Sequence, residues 1–158
     1  NTLRLSRIAL HARTGKQQYK GHPDLEAFQG FYELCQHPLY YNGGIESLSD
    51  IRQILIRFPL LKGVFIGRGL LSSPLLAKEF KGNETFLPEQ RMSIYFAFHE
   101  ELFSAYSQVL QGETQLLVKM KTLWEYFLPE TDRKLLKRIK KSTRLQQYTE
   151  SVKAIFTS

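Results

Sequence analysis

A parallel α/β unit followed by an all-α region is the fold class this sequence predicts, and three observations predict it. Three short apolar runs each stop in a cluster of Gly, Asn, Arg or His: HART (11–14), YNGGI (41–45) and IGRG (66–69). The two segments between those runs have the apolar spacing of helices rather than of strands. After the turn-like stretch KGNETFLP (81–88) the pattern is helical throughout. These features divide the chain into a first domain, residues 1–80, and a second, residues 81–158.

In order, Ile8, Leu10 and their neighbours form the first strand and lead into HART. Residues 24–35 follow as a helix with a Pro-Asp start signal and Leu25, Phe28, Phe31, Tyr32 and Cys35 on one face. Residues 38–41 form the second strand. The next helix, residues 47–58, has Ser47 as N-cap and Asp50 at the capping-box position, with Ile51, Ile54 and Leu55 as its apolar face. Residues 63–66 complete a βαβαβ unit, which calls for parallel strands joined by right-handed crossovers. Four helices are expected afterwards, at about 88–110, 114–127, 132–144 and 146–156, with breaks at Gln111-Gly112 and Leu128-Pro129. A three-stranded parallel sheet has unpaired edges, and such sheets are normally covered on both faces, so further strands are expected beside these.

The composition supports a packed protein. Hydrophobic residues make up 42% of the 158, and 11 Phe, 8 Tyr and 1 Trp give ample core-forming rings. No apolar run approaches the roughly 18–20 residues a membrane span needs. The opening Asn-Thr-Leu carries no signal-peptide pattern. Cys35 is the only cysteine, which excludes an internal disulfide and fits a reducing, cytoplasmic setting. No His/Cys spacing suggests a metal site. The formal net charge is +7, and between Arg133 and Arg144 seven residues are basic while none is acidic from Arg133 through Thr149. Such a stripe suits either a polyanion or a solvated helix face. On the expected helix Lys134, Lys137, Arg138 and Lys141 share one side, and Leu135, Leu136 and Ile139 supply the packing side.

Each strand-end motif has a chemical and a plain structural reading. In IGRG, Gly67 and Gly69 allow close approach of the backbone to a ligand, and Arg68 offers a fork suited to phosphate oxygens. The plain reading is a strand-ending turn. In YNGGI, Asn-Gly is the usual mark of a hairpin, but the segment after it reads as a helix. In HART, His11 is either a structural imidazole or a hydrogen-bond donor to a bound group.

Taken together, HART, YNGGI, IGRG and the loop GKQQYKG (15–21) resemble the second half of a tRNA-dihydrouridine synthase. The resemblance implies that residues 1–80 are the last three β/α units of a TIM-type (β/α)8 barrel and that residues 81–158 are a helical tRNA-binding bundle. It implies FMN as cofactor, NADPH as reductant, tRNA as partner, and reduction of the uridine C5=C6 bond as the reaction. By the same likeness His11, Asn42, Gly43, Gly44, Gly67 and Arg68 are expected to bind the cofactor. Many relatives carry an acidic residue where Gly44 stands, so backbone contacts are expected there. Arg13, Lys16, Lys119, Lys121, Lys137 and Lys141 are expected to meet tRNA, and Lys20 is a further candidate in the loop. No catalytic residue is expected within the chain, because the family's protonating cysteine and its flavin-contacting lysine precede the HART strand. Cys35 falls on a helix face and is expected to be a buried structural thiol. The chain alone is therefore expected to be inactive, and the full-length protein to be a monomer. Two other readings fit the same residues: an FMN-dependent barrel oxidoreductase acting on a small molecule, and a non-catalytic tRNA-binding fragment.

Overall fold

The computed structural model describes residues 3–157, so Asn1, Thr2 and Ser158 lie outside the description, including two of the three opening residues read above for a leader. The chain divides into two compact units, Asn1–Leu70 and Leu71–Ser158.

The first unit holds strands β1 (Ile8–His11), β2 (Leu39–Asn42) and β3 (Gly63–Phe65), with helices α1 (Leu25–Leu34) and α2 (Leu48–Arg57) between them. The strands lie in the order β1-β2-β3 and both pairings are parallel. Asp24 caps α1 by accepting from the Ala27 N–H at 2.9 Å. Ser47 and Asp50 form the expected capping box on α2, each side chain satisfying the other's otherwise orphaned N–H. The core is aromatic. Phe28 meets both Tyr41 and Phe58 edge-on, at centroid distances of 4.9 and 5.0 Å, and all three are buried beside Ile51.

The face expected for α1 is narrower in the structure. Phe28 alone is fully buried, Phe31 is exposed and Cys35 is only half-buried. Phe31 and Cys35 line a groove with Leu3, Leu5 and Ile8, on the flank of the stripe led by Phe28. Cys35 is the C-cap residue of α1, with Sγ 3.6 Å from the His37 carbonyl oxygen.

Helix α3 (Arg68–Ser72) spans the division between the units. The second unit contains α4 (Leu76–Gly82), α5 (Pro88–Val109), α6 (Glu113–Leu123), α7 (Arg133–Lys141) and α8 (Leu145–Phe156). Its core gathers Tyr95, Met120, Trp124, Phe127, Ile139 and Tyr148. Three expectations are corrected here. The turn-like stretch 81–88 begins inside α4, which ends at Gly82 with Asn83 in the left-handed conformation, so the connection is residues 83–87. Helix α6 stops at Leu123, after which 124–126 continue as turns and Phe127 as a bend; Trp124 and Phe127 are buried but Tyr126 is 40% exposed. Helix α7 ends at Lys141 rather than at 144, because the Ser142 hydroxyl turns back onto the Ile139 carbonyl oxygen.

Two polar networks cross the second unit. Arg91 of α5 pairs with the buried Glu79 of α4, and its other terminal nitrogen approaches the Tyr95 hydroxyl. Deeper in, the Tyr148 hydroxyl joins His99 Nε2 at 2.7 Å and Trp124 Nε1 at 3.0 Å.

Candidate functional site

Parallel pairing is what assembles the site. His11 of β1 is the register partner of Asn42 of β2, and Asn42 is the partner of Phe65 of β3. The three motifs therefore leave the sheet side by side, at the carboxyl ends of the strands. There they enclose a cleft of about 210 Å³ lined by His11, Asn42, Gly43, Gly44, Gly67 and Arg68. All six residues singled out from separate stretches of sequence thus meet in one place.

The glycines have distinct local causes. Gly43 and Gly44 have φ of 147° and 59°, in the region that disfavours any side chain. A Cβ on Gly44 would lie 3.0 Å from Pro23 Cγ. The chain turns there into α2 and not into a hairpin, which removes the hairpin reading of Asn-Gly. Gly67 is open, with no atom within 4 Å of the place a Cβ would occupy, whereas Gly69 is buried against the backbone of Ile45 and Glu46. Gly69 therefore serves the packing of the start of α3 on the loop after β2, and Gly67 is the glycine that faces the cleft.

Arg13 also lines this cleft, although the sequence alone assigned it to tRNA contact. One terminal nitrogen donates to the Gly21 carbonyl oxygen at 3.0 Å and the other lies 3.3 Å from His11 Nε2. Since a guanidinium can only donate, His11 Nε2 accepts and the imidazole proton sits on Nδ1. The Arg13 Nε is buried and has no hydrogen-bond partner among the described residues. Arg68 lies over the Tyr19 ring at 5.0 Å and 3.9 Å from the Glu46 carboxylate. Two guanidinium groups against one carboxylate leave the cleft favourable to an anion. Tyr41 is buried beneath Gly43, and burial above all pushes its phenol pKa up, with Asp50 adding to the rise and Arg13 opposing it.

Tyr19, Ile45, Glu46 and Phe65 complete the lining, and none of the four is among the site residues expected from sequence. Phe65 could have been found from the register of β3 against Asn42. Tyr19 and Glu46 reach the cleft through loop geometry that carries no sequence signal. Lys16 and Lys20 are exposed in the turns after β1.

In the second unit, Lys134, Lys137, Arg138 and Lys141 are exposed and line a groove of about 470 Å³ with Gln147 and Glu150 of α8. Leu135 and Leu136 are half-buried and Ile139 is fully buried on the other side of α7. Lys119 and Lys121 do not join them on a shared face. Two residues apart on a helix, they point about 200° from one another. Lys119 lies over the Tyr106 ring at 5.4 Å, and Lys121 Nζ donates to the Ser142 carbonyl oxygen at 2.9 Å. Among the described residues no helix is long and apolar enough to cross a membrane.

Residues 5–157 match the family described as dihydrouridine synthase (Dus). The chain is similar to a "Probable tRNA-dihydrouridine synthase" of Aquifex aeolicus (strain VF5), with 34% identity over 77 residues, which is 49% of this chain and 24% of that protein. It is also similar to a "Probable tRNA-dihydrouridine synthase" of Rhizobium leguminosarum bv. phaseoli, with 36% identity over 67 residues, 42% of this chain and 21% of the other. The aligned stretches thus span less than a quarter of either relative's length.

Proposed function

This chain belongs to the dihydrouridine synthase family, and we propose that it supplies the phosphate end of an FMN site and a tRNA-gripping surface to a tRNA-dihydrouridine synthase. In that reading residues 1–80 are the last three β/α units of a TIM-type barrel, and residues 81–158 are the tRNA-binding helices. The observation that carries it is the convergence of three strand ends on one cationic cleft containing the unpartnered Arg13 Nε. A terminal phosphate fits such a cleft. It would give Arg13 Nε an acceptor, meet the Arg68 fork, and lie against the side-chain-free backbone of Gly43, Gly44 and Gly67. Asn42 offers both a donor and an acceptor to the hydroxyls of a ribityl chain, and His11 offers Nδ1–H.

Bound FMN supplies the hydride chemistry that reduction of a uridine C5=C6 bond needs and that no side chain provides, with NADPH as the source of electrons. The residues of this chain bind and orient. Arg13, held by Gly21 and His11, is fixed before any ligand arrives, so little side-chain entropy is lost on binding. Cys35 has no part in proton transfer: it ends α1 beside Ile8, at the amino-terminal side of the sheet, whereas the cleft opens at the carboxyl ends. The α7–α8 groove favours tRNA over a small-molecule substrate, because four exposed cations on one helix match a phosphate backbone.

The test is FMN binding by the full-length native protein, followed by flavin absorbance, together with Arg13→Ala and Arg68→Ala. Each substitution removes charged hydrogen bonds worth roughly 1.5–3 kcal/mol, so affinity falls about 10- to 100-fold. A wild-type protein that takes up no flavin at saturating FMN, yet binds tRNA, overturns the flavoenzyme reading in favour of a non-catalytic tRNA-binding protein. Flavin uptake without tRNA affinity favours an oxidoreductase of small molecules.

A further inference from the structure

We infer that Lys121 is a positioning residue for RNA, acting through α7 rather than touching the nucleic acid, an inference that rests on the tRNA reading above. Helix α7 is only nine residues long and carries Arg138, Lys140 and Lys141 in its last turn. Cations at a helix C-terminus are favourable, because the terminal carbonyls are unsatisfied, but side chains that project outward to meet phosphates leave those carbonyls open. Lys121 fills the gap from the neighbouring helix. Its ammonium donates to the carbonyl oxygen of Ser142, the C-cap residue of α7, at 2.9 Å.

The bond fixes more than one carbonyl. Ser142 is 4% exposed, and only residues 142–144 connect α7 to α8. On the far side of the corner the Thr143 N–H donates to Gln147 Oε1 at 3.1 Å. Gln147 and Ser142 both line the basic groove. Lys121 and Gln147 therefore pin the corner from α6 and from α8, and the direction in which Lys137 and Lys141 present their charges depends on that corner. Lys121 itself, half-buried, spends its charge inside the protein.

The experiment measures binding of a tRNA transcript to the full-length protein across a KCl series for wild type, Lys121→Met, Lys121→Arg, the double variant Lys137→Ala/Lys141→Ala, and that double variant carrying Lys121→Met. The expected result is a three- to tenfold loss of affinity for Lys121→Met, near-complete recovery with Lys121→Arg, and no further loss or change of salt slope when Lys121→Met is added to the double variant. A residue that touched a phosphate directly would still lower affinity in that background and reduce the salt slope by roughly 0.7–0.9, and this would overturn the inference. Amide hydrogen exchange gives a readout that needs no RNA: Lys121→Met should speed exchange at residues 142–144, and unchanged exchange overturns the pinning. A wild-type protein with no affinity for tRNA overturns the reading beneath the inference. A binding wild type matched by Lys121→Met overturns the role of Lys121 alone.

Discussion

At Gly69 a single methyl group decides whether the start of α3 can meet the loop after β2. A Cβ there would overlap the Ile45 carbonyl oxygen and lie 3.0 Å from Glu46 Cα, both backbone atoms that cannot swing aside. The absence of a side chain lets the first turn of α3 settle against the loop after β2, beside the cleft that Gly67 and Arg68 share with Asn42 and Gly43. Gly69→Ala should therefore destabilise the first unit by about 1–3 kcal/mol, the usual cost of forcing extra volume into a packed contact, and hydrogen-exchange protection in β2 and β3 checks it. FMN affinity should fall with it, since α3 and the loop after β2, once separated, no longer share the cleft. Gly67→Ala meets no steric barrier, and the same measurement should find stability within about 0.5 kcal/mol of wild type.

At the scale of the element, caps decide where helices start and how firmly. Asp132 accepts from both Lys134 N–H and Leu135 N–H, at 2.8 and 3.2 Å, and it is the acidic group nearest the positive end of a helix otherwise crowded with cations. Asp132→Ala should cost about 1 kcal/mol of stability in a urea titration, and tRNA affinity should fall although a negative charge has been removed. The caps also show which elements can be read from a chain alone. Ser47 and Asp50 announce α2 because a capping box is written in adjacent residues. Helices α3 and α4 escape such a reading because five and seven residues give too little periodicity, and Ser73 and Pro74 between them look like loop. The early end of α6 is equally hidden, since Trp124 and Phe127 reach the core from turns as well as they would from a helix. For the cleft, the six residues beside the strand ends are legible because parallel strands must deliver consecutive carboxyl ends to one edge. Arg13 is not, because its place depends on a turn in which its own N–H donates to the His11 carbonyl oxygen, a contact no spacing reveals.

At the scale of the whole molecule, acid should bear on the second unit through one buried group. His99 is 1% exposed in the core of the second unit, and burial above all holds its pKa below the ordinary value, with the Glu100 carboxylate opposing through a hydrogen bond and its charge. The bonding fixes the tautomer: Nδ1–H donates to Glu100 at 3.0 Å, so the neutral ring accepts the Tyr148 O–H at Nε2 while the Tyr148 oxygen accepts from Trp124. Protonation would turn Nε2 into a donor and leave the Tyr148 O–H without its acceptor. A depressed histidine pKa means that the unfolded chain binds the proton more tightly, so stability rises with pH. The contribution is complete above about 6.5, the unfolded value, and is lost as pH falls from there toward the folded value. Trp124 is the only tryptophan and lies in this unit, so its fluorescence reports the helical unit by itself. Urea unfolding followed at Trp124 should show a midpoint at pH 5 below that at pH 7.5. In His99→Gln, where the amide can hold one bond but cannot titrate, the wild-type value at pH 7.5 should be reduced by about 1–3 kcal/mol for the broken buried network, and the drop between the two pH values should shrink. An equal acid-induced drop in both proteins would assign the sensitivity to the carboxylates instead.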